Sequence, residues 1–127
     1  QAYLWPDQAH RMTLTKAAIA AASTSVTKGD AIDWLKNRLH HQKSELHLIY
    51  STVAWQYFPE NKQELGTSLI EEAGASATDD NPLAWFGMEN DGIGPGAALT
   101  LRLWPDNLTI DLGRADFHGR WIKWKGM

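Results

Sequence analysis

The sequence predicts an α/β domain: three layers, with a partly parallel sheet closed by a C-terminal antiparallel hairpin. Three observations carry this. Helix-like and strand-like runs alternate through the first two thirds of the 127 residues, as parallel crossover units require. In the last third, Leu99, Leu101 and Leu103 alternate with Thr100, Arg102 and Trp104, and Leu108, Ile110 and Leu112 alternate with Thr109, Asp111 and Gly113. Between those runs stands Pro105-Asp106-Asn107, three residues that favour a turn.

Each element follows from local chemistry. Pro6 and Asp7 suit the first turn of a helix that continues from Gln8 to Ala22, with Met12, Ala18, Ile19 and Ala22 at near-helical spacing. Ser25-Val26-Thr27 reads as a short strand. Asp30 is placed to N-cap a helix from Ala31 to Leu39, whose Ile32, Leu35 and Leu39 share a face. Leu46 to Val53 lacks clean alternation at its centre, so it reads as a central strand covered on both faces. Pro59 opens a helix from Glu60 to Ala73, with Leu65, Leu69 and Ile70 as its apolar stripe. Pro82 to Met88 is a second central strand, Asn90 to Gly96 a glycine-rich loop, and Trp121, Ile122 and Trp124 a last strand.

The composition bounds the function. One domain spans 1–127, and its 43% hydrophobic and 21% charged residues are those of a globular chain with a core rather than a disordered one. A net charge of −3 supplies no basic field for nucleic acid or anionic lipid, and no apolar run is long enough to span a membrane. Cysteine is absent, which excludes disulfides and thiolate metal sites and fits a cytoplasmic setting. The chain opens on Gln1 followed by Ala2-Tyr3-Leu4-Trp5-Pro6, so it reads as the C-terminal part of a longer protein. The seven tryptophans are expected mainly in the core and on sheet faces.

Several blocks together carry a family resemblance. They are Leu4-Trp5-Pro6-Asp7 with Arg11; Gly29-Asp30-Ala31 with Asp33-Trp34-Leu35; Tyr50 to Tyr57; Pro82-Leu83-Ala84-Trp85 with Met88-Glu89; and Leu101 to Pro105 with His118-Gly119, Trp121 and Trp124. In this order they resemble the C-terminal part of the bacterial family known as domain of unknown function 2332. The resemblance implies a sheet like the later strands of a class I methyltransferase-like Rossmann fold. Val26 would belong to its third strand, Leu46–Val53 to its fourth and Pro82–Met88 to its fifth, with the hairpin as sixth and seventh. It also implies a missing N-terminal half that carries the glycine-rich S-adenosylmethionine loop, so no cofactor is expected on this piece alone, which should be inactive. With the first strand absent, the Leu46–Val53 edge is expected to pair with another copy, as a homo-oligomer or by strand exchange.

Four groups of residues are candidates for chemistry. By the same resemblance, Asp30 would accept a hydrogen bond from the adenine of the cofactor; as plain chemistry it is a helix cap. Ser51, Thr52, Trp55, Gln56 and Tyr57 leave the carboxyl end of a central strand, where ligands of open parallel sheets sit, and their hydroxyl, amide and aromatic groups suit a small organic substrate. Glu89 and Asp91 follow the next strand at the same edge and could act as a base, hold a cation or be solvated loop acids. His118, in a strand connection, is the histidine to test, and with Tyr57 and Glu89 it completes the catalytic candidates. His40, His41 and His47 lack a carboxylate to complete a metal set, and no metal is expected. The competing reading is a non-enzymatic binding or assembly module using the Trp-rich C-terminal strands.

Overall fold

The computed structural model describes residues 9–23 and 25–126. Its elements are α1 (Ala9–Ala21), α2 (Ala31–Lys36), β1 (His47–Thr52), a 3-10 turn (Trp55–Tyr57), α3 (Glu60–Ala75), β2 (Leu83–Glu89), β3 (Ala97–Trp104), β4 (Leu108–Ala115) and β5 (Ile122–Trp124). The strands form one sheet in the order β1-β2-β3-β4-β5. β1 and β2 are parallel, joined through α3, and every later pair is antiparallel. The chain is thus α/β with a mixed five-stranded sheet.

Asp30 caps α2 as its position predicts, accepting hydrogen bonds from the Ile32 and Asp33 N–H groups at 3.0 Å each. The helix stops at Lys36 rather than Leu39, because the Asn37 N–H turns back to the Trp34 carbonyl in a tightened last turn. Leu39 still packs against the core from outside the helix. The expected strand at Val26 does not form: 25–28 is irregular and Val26 is 97% exposed. Three residues of strand propensity have no ladder partner there, and propensity without a partner does not hold a strand. The motif Leu4-Trp5-Pro6-Asp7 and the expected helix start lie outside the described residues. α1 buries none of its residues, so the spacing of Met12, Ala18 and Ile19 does not translate into a packing face.

One face of the sheet is built against helices. Ile70 of α3 and Leu83 of β2 are both 0% exposed, and Leu35, Ala77 and Trp104 complete their cluster. The buried stripe of α3 is Gly66, Ile70 and Gly74, not the predicted Leu65, Leu69 and Ile70. A Cβ built on Gly66 would lie 2.6 Å from the Trp55 ring, and one on Gly74 would lie 2.5 Å from the Trp104 ring. Glycines eight apart, about two turns, therefore let the helix backbone settle on two indoles, which hydrophobicity alone does not reveal.

The other face has no helix among the described residues. Leu99, Leu112 and Ala115 form its cluster, with Phe86, Met88, Leu101 and Ile110 packed beside them. The third layer expected from the sequence is not found there. β1, expected to be covered on both faces, alternates instead: His47, Ile49 and Ser51 are half-buried, whereas Leu48 and Tyr50 are 52% and 71% exposed. It is an edge strand, paired among the described residues with β2 alone. The mixed apolar pattern that suggested two-sided cover thus reflects one packed side and one open apolar side. A bulge between Leu99 and Thr100 leaves Leu112 without a partner in the β3–β4 register.

Candidate functional site

β1 and β2 end side by side, and the loops that follow them are tied together by two side chains. The Glu89 carboxylate accepts hydrogen bonds from the Ala54 N–H at 3.1 and 3.2 Å, from Trp55 N–H at 3.1 Å and from Gln56 N–H at 3.4 Å. These are the orphan donors of the 3-10 turn Trp55–Tyr57, so Glu89 caps that turn from a neighbouring strand. Gln56 returns the link, its Oε1 accepting from the Asn90 N–H at 2.7 Å. Three backbone N–H groups thus hold the carboxylate, that of Ala54 shared between its two oxygens, so Glu89 orients the loop.

Beside this junction, on the helix-covered face, lies a cavity of about 140 Å³. Its floor is a row across three strands, Ser51 of β1, Gly87 of β2 and Thr100 of β3, which are direct partners in the register. Trp55 and Glu89 stand at the loop end, and Trp85 and Arg102 at the other. The rings of Trp55 and Trp85 meet with centroids 5.0 Å apart and tilted by 57°. The Arg102 guanidinium lies over Trp104 at 4.7 Å and Trp85 at 5.9 Å, and its Nη1 donates to Glu71 at 2.8 Å. Ser51 Oγ, Trp85 Nε1 and Arg102 Nε are buried with no hydrogen-bond partner.

Of the residues expected from the sequence, Ser51, Trp55 and Glu89 converge on this cavity. The others do not. Thr52 belongs to the exposed side of β1, Tyr57 is exposed, and Gln56 is occupied with Asn90. Asp91 does not pair with Glu89; it forms a two-point ion pair with Arg114, at 2.7 and 2.9 Å, and that guanidinium holds its carboxyl well below the usual range. Asp30 pairs with Lys62 at 3.4 Å and caps α2; its carboxyl is lowered chiefly by the Asp33 N–H. A shallow groove of about 340 Å³ runs by Gly29, Ala31 and Trp34, and Asp30 is not in its wall. His41 Nε2 bonds the Ala73 carbonyl at 2.7 Å, a packing role. Among the described residues no three His, Cys, Asp or Glu side chains gather where a metal could bind, and no helix is long and apolar enough to cross a membrane.

Trp85, Gly87, Thr100 and Arg102 escaped the sequence reading. Arg102 and Thr100 read only as polar positions of an alternating strand, and the register that sets them beside Ser51 is a tertiary fact. The signal available was Gly87 itself, a glycine inside a strand, which marks close approach or space for a neighbour.

His118 lies in a loop organised by Asp116, which is buried. The Asp116 carboxylate accepts from the His118 N–H at 3.0 Å, from the Arg120 N–H at 3.3 Å and from its Nε at 3.1 Å. The Arg120 guanidinium, with these N–H groups, lowers the Asp116 carboxyl to about 2. A depressed carboxyl stabilises the fold above its unfolded value of 3.8, and that contribution fades as pH falls through about 2. Asp116→Asn is therefore expected to flatten the pH dependence of the melting temperature between these values. An unchanged slope would remove the assignment. The imidazole of His118 itself is exposed.

No curated protein and no solved structure matches this chain. A family model does, across residues 1–124, under the description "Uncharacterized protein conserved in bacteria (DUF2332)". With nearly the whole chain matched, this protein belongs to that bacterial family.

Proposed function

We propose that the domain binds a small organic molecule at the carboxyl ends of β1 and β2, as the substrate-holding part of a transferase-like protein. The observation that carries this is the cavity bounded by Ser51, Trp55 and Glu89, set where the loops of a parallel pair are locked together. Ligands of open α/β sheets favour that position. The longer protein is proposed to use S-adenosylmethionine. The described residues alone do not fit that cofactor: the Asp30 carboxylate is engaged by two backbone N–H groups and Lys62, and about 140 Å³ is too small for a nucleoside. No step is therefore drawn through it, and calorimetry of S-adenosylmethionine with this 127-residue chain is expected to show no binding.

The test is a small-fragment screen read by amide and indole NMR shifts. Perturbations should gather at Ser51, Trp55, Gly87 and Thr100. Perturbations confined to the 121–124 region would overturn the reading.

A second reading, assembly, has its own observations. Trp121, Ile122 and Trp124 are exposed around Arg120 and Lys123, and Leu48 and Tyr50 line an unpaired edge. Unprotected edges of this kind pair with other strands. It predicts a homo-oligomer through β1, and a monomer by light scattering at high concentration would count against it.

A further inference from the structure

We infer that this chain forms a closed two-fold dimer in which β1 pairs antiparallel with β1 of a second copy, pivoting on Ile49, so that Leu48 of each copy faces Tyr50 of the other. The inference rests on the assembly reading above and fixes its edge, symmetry and register. Among the described residues the sheet has two edges, β1 and β5. β5 is three residues long, carries Lys123 at its centre and is followed by Lys125. The Trp121 carbonyl and the Lys125 N–H are spent on Asp116 and Leu112, so within β5 only Ile122 and Trp124 turn their backbone groups outward. A short strand with a central lysine is a guarded edge. β1 has none of these guards. It is six residues long, Leu46 to Val53 contains no proline, lysine, arginine or acid, and its register with β2 runs without a bulge from His47 to Thr52. Leu46, Leu48 and Tyr50 are each more than half exposed along it.

The strand that completes such an edge has to match it: uncharged, and apolar on the side that meets Leu48 and Tyr50. β1 itself meets both conditions. A two-fold axis normal to the sheet joins the two edges antiparallel and keeps both helix-covered faces on one side, so the exposed leucines and tyrosines of the two copies meet on the common open face. No charge is set against a like charge within this seam, whereas two β5 strands would bring their lysines together. The same patch serves both copies and is used up in the contact, so assembly closes at two. The register follows from the backbone. The His47 and Val53 N–H groups point toward β2, which leaves those of Leu48, Tyr50 and Thr52 outward. An antiparallel ladder sets outward residues against outward residues, so the pivot nearest the centre of the strand is Ile49 or Tyr50. A Tyr50 pivot carries His47 against Val53, whose φ of 51° lies in the left-handed region and ends the extended run. An Ile49 pivot keeps clear of Val53 and gives the aliphatic–aromatic cross-strand pair of Leu48 with Tyr50.

The chain has no cysteine, so introduced thiols report on the seam directly. Leu48→Cys mixed with Tyr50→Cys is expected to oxidise to a disulfide-linked pair faster than either variant alone. Facing residues of a hydrogen-bonded antiparallel pair lie about 5.5 Å apart at Cα, inside the reach of a disulfide at about 4.4–6.8 Å. Identical residues of the two copies would stand diagonally, about 7–8 Å apart. Light scattering of the parent at high concentration is expected to show a dimer and nothing larger. Tyr50→Lys, which gives β1 the guard that β5 carries, is expected to abolish the dimer; Tyr50 is 71% exposed, so a thermal melt of the dilute variant should match that of the dilute parent. Faster linking of Tyr50→Cys with itself overturns the register. A dimer that survives Tyr50→Lys, or growth beyond two copies, overturns this inference and leaves assembly to the strand around Trp121 and Trp124. A monomer at every concentration overturns the inference and the assembly reading together.

Discussion

Gly74→Ala is expected to destabilise the domain by about 1–3 kcal/mol, the usual cost of forcing extra volume into a packed interior. The physical origin is specific. The new Cβ would sit 2.5 Å from the Trp104 ring, and that ring cannot step aside, because Trp104 is 5% exposed and Arg102 stacks on it at 4.7 Å. Helix propensity works the other way, since alanine favours an exposed helix interior over glycine by about 1 kcal/mol. The two effects oppose, and the steric one should win. Denaturant unfolding measures the outcome. A stabilised Gly74→Ala variant would mean that α3 does not rest on Trp104 as described.

Leu83→Ala is expected to cost about 2–5 kcal/mol, through lost burial and the cavity left behind. Leu83 opens β2, is 0% exposed and touches the cluster of Leu35, Ile70 and Trp104, so the site has little freedom to collapse. Marginal domains carry only about 5–15 kcal/mol in total, so this variant should melt far below the parent. Leu48→Ala is the matched comparison: the same change on the open side of β1, where more than half of the side chain is already in contact with solvent. It should cost under about 0.5 kcal/mol. Equal losses from the two would mean that the sheet's open face is covered after all.

Much of this architecture was legible because its signals are local. Asp30 ahead of a helical run, the alternating leucines of β3 and β4, and the Pro105-Asp106-Asn107 turn each describe themselves within a few residues. The one-sided cover of β1 was not legible, because Leu46 to Val53 carries apolar residues on its open side as well as on its packed side, and a sequence shows only the sum. The site divided along the same line. Ser51, Trp55 and Glu89 were found by position at the ends of strands. Arg102 and Gly87 were not, since only the register between β1, β2 and β3 makes them neighbours. The capping role of Glu89 was not legible either, since the three N–H groups that it accepts from belong to a turn 33–35 residues earlier in the chain.

The one-sided pairing of β1 should also write itself into the rate at which deuterium enters its backbone. The His47 and Val53 N–H groups donate to the Pro82 and Met88 carbonyls, and the parallel register sets Ile49 and Ser51 in the same phase. The amides of Leu48, Tyr50 and Thr52 therefore point off the sheet. In this chain, labelling should alternate along the strand, slow at odd positions and fast at even ones. Whatever polypeptide settles against that edge, be it a second copy or further residues of a longer protein, will announce itself by slowing the even positions alone. Three amides thus report the docking of a strand without any knowledge of its identity.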